Sequence, residues 1–363
     1  MRFSIRLILL LVIYITFLPA SGSFALPQFS VEYKQSCQLC HQNPTGSGMR
    51  SLYGAQSFSY MELPAQPLDD FGKLDEISPL IGKKLQAGFD FRSIFYAAGQ
   101  DSSGKSFLTM EGDLYLAFTP TDHTLLYIDR NLSGSGELFA LIQGLPMSGA
   151  VRVGRIVPAY GWRFEDHKAY VQQKLGLVPR APLSPDNGIE FGFYPMAWEF
   201  SAAITNGGFS PVDRDEGKAL TTRAAGRTSI GALNLTGGVS YRYNELGRRS
   251  PLVRYAGAFF GGNYGTFTYL GETDWMGSDV TGLVTTHTAS YRLKPGVNLS
   301  LAYDFYDPDL DVKAGTSWRT RLSSELYLTG YLELIPAFYW ESDKTGPTGK
   351  EFGVGELQLH VWF

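Results

Sequence analysis

Cysteine is nearly absent: Cys37 and Cys40 are the only two in 363 residues. A disulfide framework is therefore excluded. Charge is also sparse, with 18% Asp, Glu, Lys and Arg and a net charge of −4. That balance gives no basic footprint for nucleic acid. Beyond residue 25 no run of 18 uninterrupted apolar residues occurs, which excludes helical membrane spans. A hydrolase needs a nucleophile and a base side by side. His287 and Ser290 are close in sequence, but their odd offset puts them on opposite faces of a strand. No other Ser/His/Asp set stands out.

What the chain does have begins with a leader. Arg2 and Arg6 make a basic start, Leu7–Leu18 is a 12-residue apolar stretch, and Ser23-Phe24-Ala25 puts small residues where a signal peptidase reads them. Residues 1–25 are thus expected to be an export signal cleaved after Ala25, which takes the formal charge from −4 to −6.

From about Lys83 onward the pattern has period two. Leu85, Ala87, Phe89 and Phe91 alternate with Gln86, Gly88, Asp90 and Arg92, and Val297, Leu299, Leu301, Tyr303 and Phe305 alternate with Asn298, Ser300 and Asp304. The stretches around Leu108–Phe118 and Leu322–Leu328 read the same way. Strict alternation assigns one set to each face of a sheet, and apolar-out, polar-in is the pattern of a transmembrane barrel. The last strand follows it: Leu357, Leu359, Val361 and Phe363 share one face, and Glu356, Gln358, His360 and Trp362 the other. Such a strand with an aromatic end looks like the recognition end of bacterial outer-membrane barrels.

Connections alternate in length. Short ones are Pro120–Asp122, Pro146–Gly149, Pro195-Met196, Gly262-Asn263, Lys294–Gly296 and Thr329-Gly330. Long ones are Gly99–Lys105, Pro158–Asp186, Gly207–Ala219, Asn244–Pro251, Asp307–Gly315 and Ser342–Lys350. The expected fold is all-β: a transmembrane antiparallel β-barrel of about 16 strands over residues 83–363, with 14–18 compatible, and both termini on the periplasmic side. Inward charges would include Asp90, Arg92, Glu111, Asp113, Arg319, Arg321, Glu325, Glu333 and Glu356, read mainly as a porin's polar wall. Asp304, Asp307, Asp309 and Asp311 read as a polar turn rather than an EF-hand.

Residues 37–41 are Cys-Gln-Leu-Cys-His. A C-x-x-C-H run is a c-type haem attachment site, where two thiols close thioethers and the histidine ligates iron. One haem c on Cys37 and Cys40, with His41 as axial ligand, is the expectation. A disulfide would not need His41, and zinc would need further ligands. For the sixth ligand Met49 is nearest in sequence and Met61 next; His123, His167, His287 and His360, or an open position, are the alternatives. The plainer reading of Met49 is a packing residue on the turn after the motif. Residues 26–82, rich in Gly, Pro and Ser, are too few to shield a haem alone, so they are expected to form a haem-bearing plug completed by the barrel wall. Arg152–Arg155 and Gly161–His167 flank the longest loop; they read as loop structure, or as contacts to haem propionates if that loop folds inward.

This arrangement resembles the fused monohaem cytochrome–porins of the outer membrane, a group that includes bacterial iron oxidases. The resemblance rests on Leu26-Pro27-Gln28-Phe29, on Ser36–His41, on Asn43-Pro44 and on Tyr53-Gly54. Thr45-Gly46-Ser47-Gly48-Met49-Arg50 replaces the Pro-x-Leu-Asn run usual in the iron oxidases, which leaves the electron donor open. The resemblance implies an outer-membrane protein that moves electrons between an extracellular metal ion or mineral and a periplasmic cytochrome. The alternative is a passive porin with a redox-sensitive haem plug.

Overall fold

The computed structural model describes residues 27–63, 78–98, 105–131, 136–175, 185–208, 217–245, 252–277, 280–312, 314–343 and 350–363. The leader assigned to residues 1–25 lies outside them. Among the described residues, sixteen long strands form one closed antiparallel barrel: β1 Leu85–Ala98, β2 Lys105–Thr121, β3 Thr124–Asn131, β4 Leu138–Leu145, β5 Gly149–Ile156, β6 Asp186–Phe193, β7 Trp198–Thr205, β8 Ala219–Ile230, β9 Leu233–Glu245, β10 Leu252–Tyr264, β11 Phe267–Gly277, β12 Thr281–Lys294, β13 Val297–Asp307, β14 Ser317–Thr329, β15 Leu332–Asp343 and β16 Lys350–Trp362. Each pairs with its neighbour in sequence. β16 closes the ring on β1 with Val361 opposite Phe91 and Trp362 opposite Asp90. Leu80 and Ile81 add a two-residue bridge to the start of β1. Closure leaves no strand edge unpaired, which is what a sheet needs to sit in lipid.

The alternation works inside out. On β13, Asn298, Ser300 and Asp304 are 7%, 5% and 0% exposed, whereas Leu299, Leu301 and Tyr303 are 42%, 52% and 43% exposed. A water-soluble sandwich would show the reverse. On β16, Glu356, Gln358, His360 and Trp362 are all buried inside and Leu357 is exposed. Trp198, Tyr264, Phe267 and Tyr291, all exposed, stand next to the short turns, where an interfacial aromatic girdle belongs.

The short-turn end also carries the start of β1 and the end of β16. The expected turns at Asp122, at Pro146–Gly149, at Pro195-Met196, at Pro295-Gly296 and at Gly330 are found. One is corrected: Gly262 and Asn263 lie within β10, and the chain reverses at Gly265, whose φ is +59°. Asn263 marks the turn from a distance, because its Nδ2 donates to the Gly265 and Phe267 carbonyls at 3.3 and 3.1 Å. The Asp307–Asp311 stretch is a polar turn, with Asp307 Oδ1 accepting from the Asp309 amide and Asp309 Oδ1 from the Asp311 amide, both at 3.1 Å.

Candidate functional site

Two segments fill the lumen. The first is the plug, residues 27–63. Helix α1, Pro27–Tyr33, packs against β9, β10 and β11. A Cβ at Gly261 would overlap a Val31 methyl, so the wall needs glycine there. After α1, the Ser36 Oγ accepts from the Gln38 amide at 3.3 Å and caps a 3₁₀ turn over Cys37–Leu39. The Cys40 and His41 amides both donate to the Cys37 carbonyl, at 3.2 and 3.1 Å. Side chains three apart on a 3₁₀ turn lie over one another, which is how C-x-x-C sets two thiols side by side. The two are not bridged.

The chain then doubles back. His41 and Arg50 form an antiparallel bridge, and the Gln42 amide donates to the Met49 carbonyl at 3.0 Å. Between them Asn43 makes the turn, its Oδ1 accepting from the Thr45 amide and hydroxyl at 3.1 and 3.0 Å. A π-helical turn, Tyr53–Phe58, follows. A Cβ on Gly54 would collide with the Cys40 carbonyl, so glycine lets this turn press on the motif.

Opposed residues of an antiparallel bridge point to the same side. His41 therefore shares its face with Arg50, while Met49 points the other way. Met49 is 2% exposed and packs with Tyr115, Leu125, Tyr127, Phe139 and Leu141 of β2–β4, its amide donating to the Tyr127 hydroxyl at 3.0 Å. It lines none of the cavities beside His41 described below. Met49 is thus placed as a packing residue, one of its two readings from the sequence.

The second lumen segment is the long loop between β5 and β6, which turns inward. The Tyr160 hydroxyl donates to Asp274 at 2.7 Å, the Gly161 amide to Ser240 at 2.9 Å and the Trp162 amide to Glu272 at 2.6 Å. On the far side Glu165 meets Arg92 at 2.6 Å and Asp166 meets Arg319 at 2.7 Å. A short helix, α2, Tyr170–Leu175, ends the crossing, with the Tyr170 amide donating to Asp304 at 2.9 Å. Burial opposes charge on Asp166, but Arg319 and Arg321 hold its carboxyl well below the usual carboxylate range. Loop and plug also clasp each other: Arg163 donates to Ser47 at 2.6 Å and to Thr45 at 3.3 Å.

His41 lies between two cavities. One is lined by Cys40, His41, Arg50, Gly54, His360 and Trp362, among others. The other is lined by Cys37, His41, His167 and the guanidiniums of Arg50, Arg92, Arg163 and Arg223, and also by the acidic Asp90, Glu111 and Glu165. The Trp362 Nε1–H is buried without a hydrogen-bond partner among the described residues, and the Arg50 guanidinium stacks 4.6 Å from the same indole. His41 thus borders both cavities, Cys40 the first and Cys37 the second, with guanidiniums and a spare buried indole donor around them. Burial, with the charge of Glu199 added, pushes the Cys37 thiol up to about 11. A redox-active C-x-x-C needs the opposite shift.

Of the other histidines, His123 lines a cavity that His41 also borders, at the short-turn end. His287 bonds Tyr269 and Thr285 at 2.7 and 2.8 Å and borders none of these cavities. Arg152, flagged in the sequence as a loop residue, holds the plug instead: its Nη1 donates to Asn43 Oδ1 at 2.8 Å. Sequence reasoning named His360 only as one of several sixth-ligand alternatives and did not bring Trp362 to the motif, because only closure of the barrel puts β16 beside it.

No family model matches the chain, and no curated protein matches it. Solved structures do. OmpT of Vibrio cholerae superposes with a TM-score of 0.60 at 8% identity, covering 78% of this chain and 99% of that one. OprB of Pseudomonas putida gives 0.59 at 10% identity, over 85% and 100%. An anion-selective porin from Comamonas acidovorans gives 0.54 at 11% identity, over 77% and 99%. These likenesses establish the fold, that of a porin-like outer-membrane β-barrel.

Proposed function

We propose that the chain is an outer-membrane barrel whose plug carries one covalent haem c, and that it passes single electrons across the membrane. One observation carries the reading: Cys37, Cys40 and His41 adjoin cavities inside a lipid-facing cylinder, beside a buried, unpaired Trp362 N–H. Cys37 and Cys40 would hold the haem as thioethers and His41 would ligate its iron. Arg50, Arg163 and Arg223 would face its carboxylates. Bound there, the haem supplies one-electron redox chemistry. The residues of the chain bind it, turn it and exclude bulk water. Orienting the short-turn end to the periplasm, as in barrels of this kind, puts both termini there. The donor class is an extracellular metal ion such as Fe(II), and the acceptor a periplasmic cytochrome. The test uses protein matured with haem, inserted in liposomes that trap a dye acceptor. Fe(II) added outside should reduce the dye; intact haem without dye reduction would sink the reading.

A second reading is a passive porin gated by the oxidation state of its plug. The likeness to solved porins favours it. Conductance that changes on haem reduction, with no dye reduction, would establish it.

A further inference from the structure

We infer that Glu165, Glu333 and His360 form a binding site for one divalent first-row transition-metal ion at the seam between barrel wall and inward loop. The inference goes beyond the haem reading and does not need it.

Glu333 stands at the start of β15, His360 near the end of β16 and Glu165 on the loop. Their donor atoms all lie within 4.8 Å of one another. His360 Nδ1 is 3.0 Å from Glu333 Oε2 and 3.7 Å from Glu165 Oε1. Donors around an ion with bonds of 2.0–2.2 Å sit about 3.0–3.5 Å apart, so little movement is required. The other ring nitrogen is committed: Nε2 lies 3.0 Å from Asp90 Oδ1. A carboxylate on one imidazole nitrogen, with the second turned toward further donors, is the orienting device of histidine–metal sites. Asp90 is thus a positioning residue, and an ion on the other side would take the place of the proton that Nδ1 shares with Glu333 Oε2 at 3.0 Å.

A second observation points to a ligand. Glu333 is 1% exposed, and its Oε1 has no hydrogen-bond partner among the described residues. Glu333 lines the cavity bordered by Cys40 and His41, together with Glu165 and His360. Burying a carboxylate oxygen unpaired is costly unless something cationic meets it. Charge agrees. Asp90, Glu111 and Glu165 all pair with Arg92, whose charge Glu333 also feels, so four carboxylates crowd one guanidinium and His360. Arg92, 2.6 Å from Glu165, competes for one carboxylate but cannot serve all of them. Mixed imidazole and carboxylate donors suit Fe(II), Mn(II), Co(II) or Zn(II) over Ca²⁺ or Mg²⁺, which favour all-oxygen shells.

The test is a Co(II) titration of the detergent-solubilised full chain, followed by visible absorption, with Zn(II) competition. Heat-modifiable gel mobility confirms a folded barrel for each variant. Wild type should bind one equivalent. Glu333→Gln and His360→Asn should each weaken binding more than 100-fold, and Asp90→Asn about 10-fold. Cys37→Ala/Cys40→Ala, which cannot attach haem, should keep the site. The inference is overturned by no Co(II) binding to folded wild type, or by binding that survives His360→Asn. It is also overturned if the ion is lost with the cysteines, or if a bis-histidine haem spectrum disappears in His360→Asn. Co(II) binding to a chain that never takes up haem would uphold this site and defeat the haem reading; the converse would do the opposite.

Discussion

Asn43 at the plug turn and Arg152 on β5 share a hydrogen bond of 2.8 Å, and the two are 0% and 2% exposed. Arg152 also pairs with Glu190 at 2.6 Å, and Asn43 donates to Glu137 at 3.1 Å. One buried guanidinium thus joins wall to plug. Removing it leaves two carboxylates without their cation, a loss of about 3–5 kcal/mol. Arg152→Ala is expected to unseat the plug, with faster proteolysis of residues 27–63 while the barrel keeps its heat-modifiable mobility. Asn43→Ala should do the same more weakly. Unchanged proteolysis in Arg152→Ala would show that the plug is held elsewhere.

The inward loop depends on Asp166, which faces Arg319 at 2.7 Å. Arg319 keeps Asp304 as a second partner at 2.6 Å, so removing Asp166 strands no buried cation. Asp166→Asn is therefore expected to free the loop without unfolding the barrel. Planar-bilayer recordings should show a larger and noisier conductance than wild type. Equal conductance would mean that the plug, not the loop, sets the opening.

Much of the barrel was legible because lipid outside and water or protein inside impose period two on every strand. Asn298 to Tyr303 displays this in six residues. The strand-end signal on Leu357–Phe363 held for the same reason. What was not legible depends on closure. Asp90, Glu333 and His360 come from the first and the last two strands, and nothing local marks them as neighbours. The loop partners Asp166 and Arg319 are 153 residues apart. Gly262-Asn263 misled because an asparagine that caps a turn by its side chain looks like an asparagine within one. Nor was the face that Met49 occupies legible, because nearness in sequence says nothing about which side of the His41–Arg50 bridge a residue takes.

Outward and inward positions on one strand should respond oppositely to charge. Leu301, exposed to lipid in the middle of β13, is expected to tolerate arginine poorly, at a cost of about 2–4 kcal/mol near the bilayer midplane. Asn298→Asp, on the lumen face, should cost less, although it leaves Glu325 facing a like charge at 2.9 Å. Urea unfolding in detergent or bilayer measures both. Equal costs would argue against a lipid-facing belt.

The Cys37 thiol offers a pH test of the unloaded motif. Its pKa is raised to about 11, burial being the main cause and Glu199 the next. The thiol therefore stays protonated through neutral pH, and thiolate forms only as pH climbs toward 11. In haem-free chain, alkylation of Cys37 by iodoacetamide should be slow at pH 8 and rise about tenfold per pH unit up to that range. Fast labelling at pH 7 would signal an activated thiolate and revive the redox-dithiol reading.

Met49 and His41 separate packing from ligation. Met49→Ala removes a buried side chain from the Tyr115–Tyr127–Leu141 cluster, which is expected to cost about 2–5 kcal/mol. It should leave the haem spectrum and potential of the matured protein unchanged. His41→Ala removes the imidazole next to Cys40, so covalent attachment should fall sharply and any haem retained should change its ligand field. Haem-linked peroxidase staining reads the first effect and magnetic spectra the second. A Met49→Ala spectrum converted from low-spin to high-spin would return the methionine to the iron. It would also require residues 41–50 to repack when haem is attached, since their bridge now turns Met49 from His41.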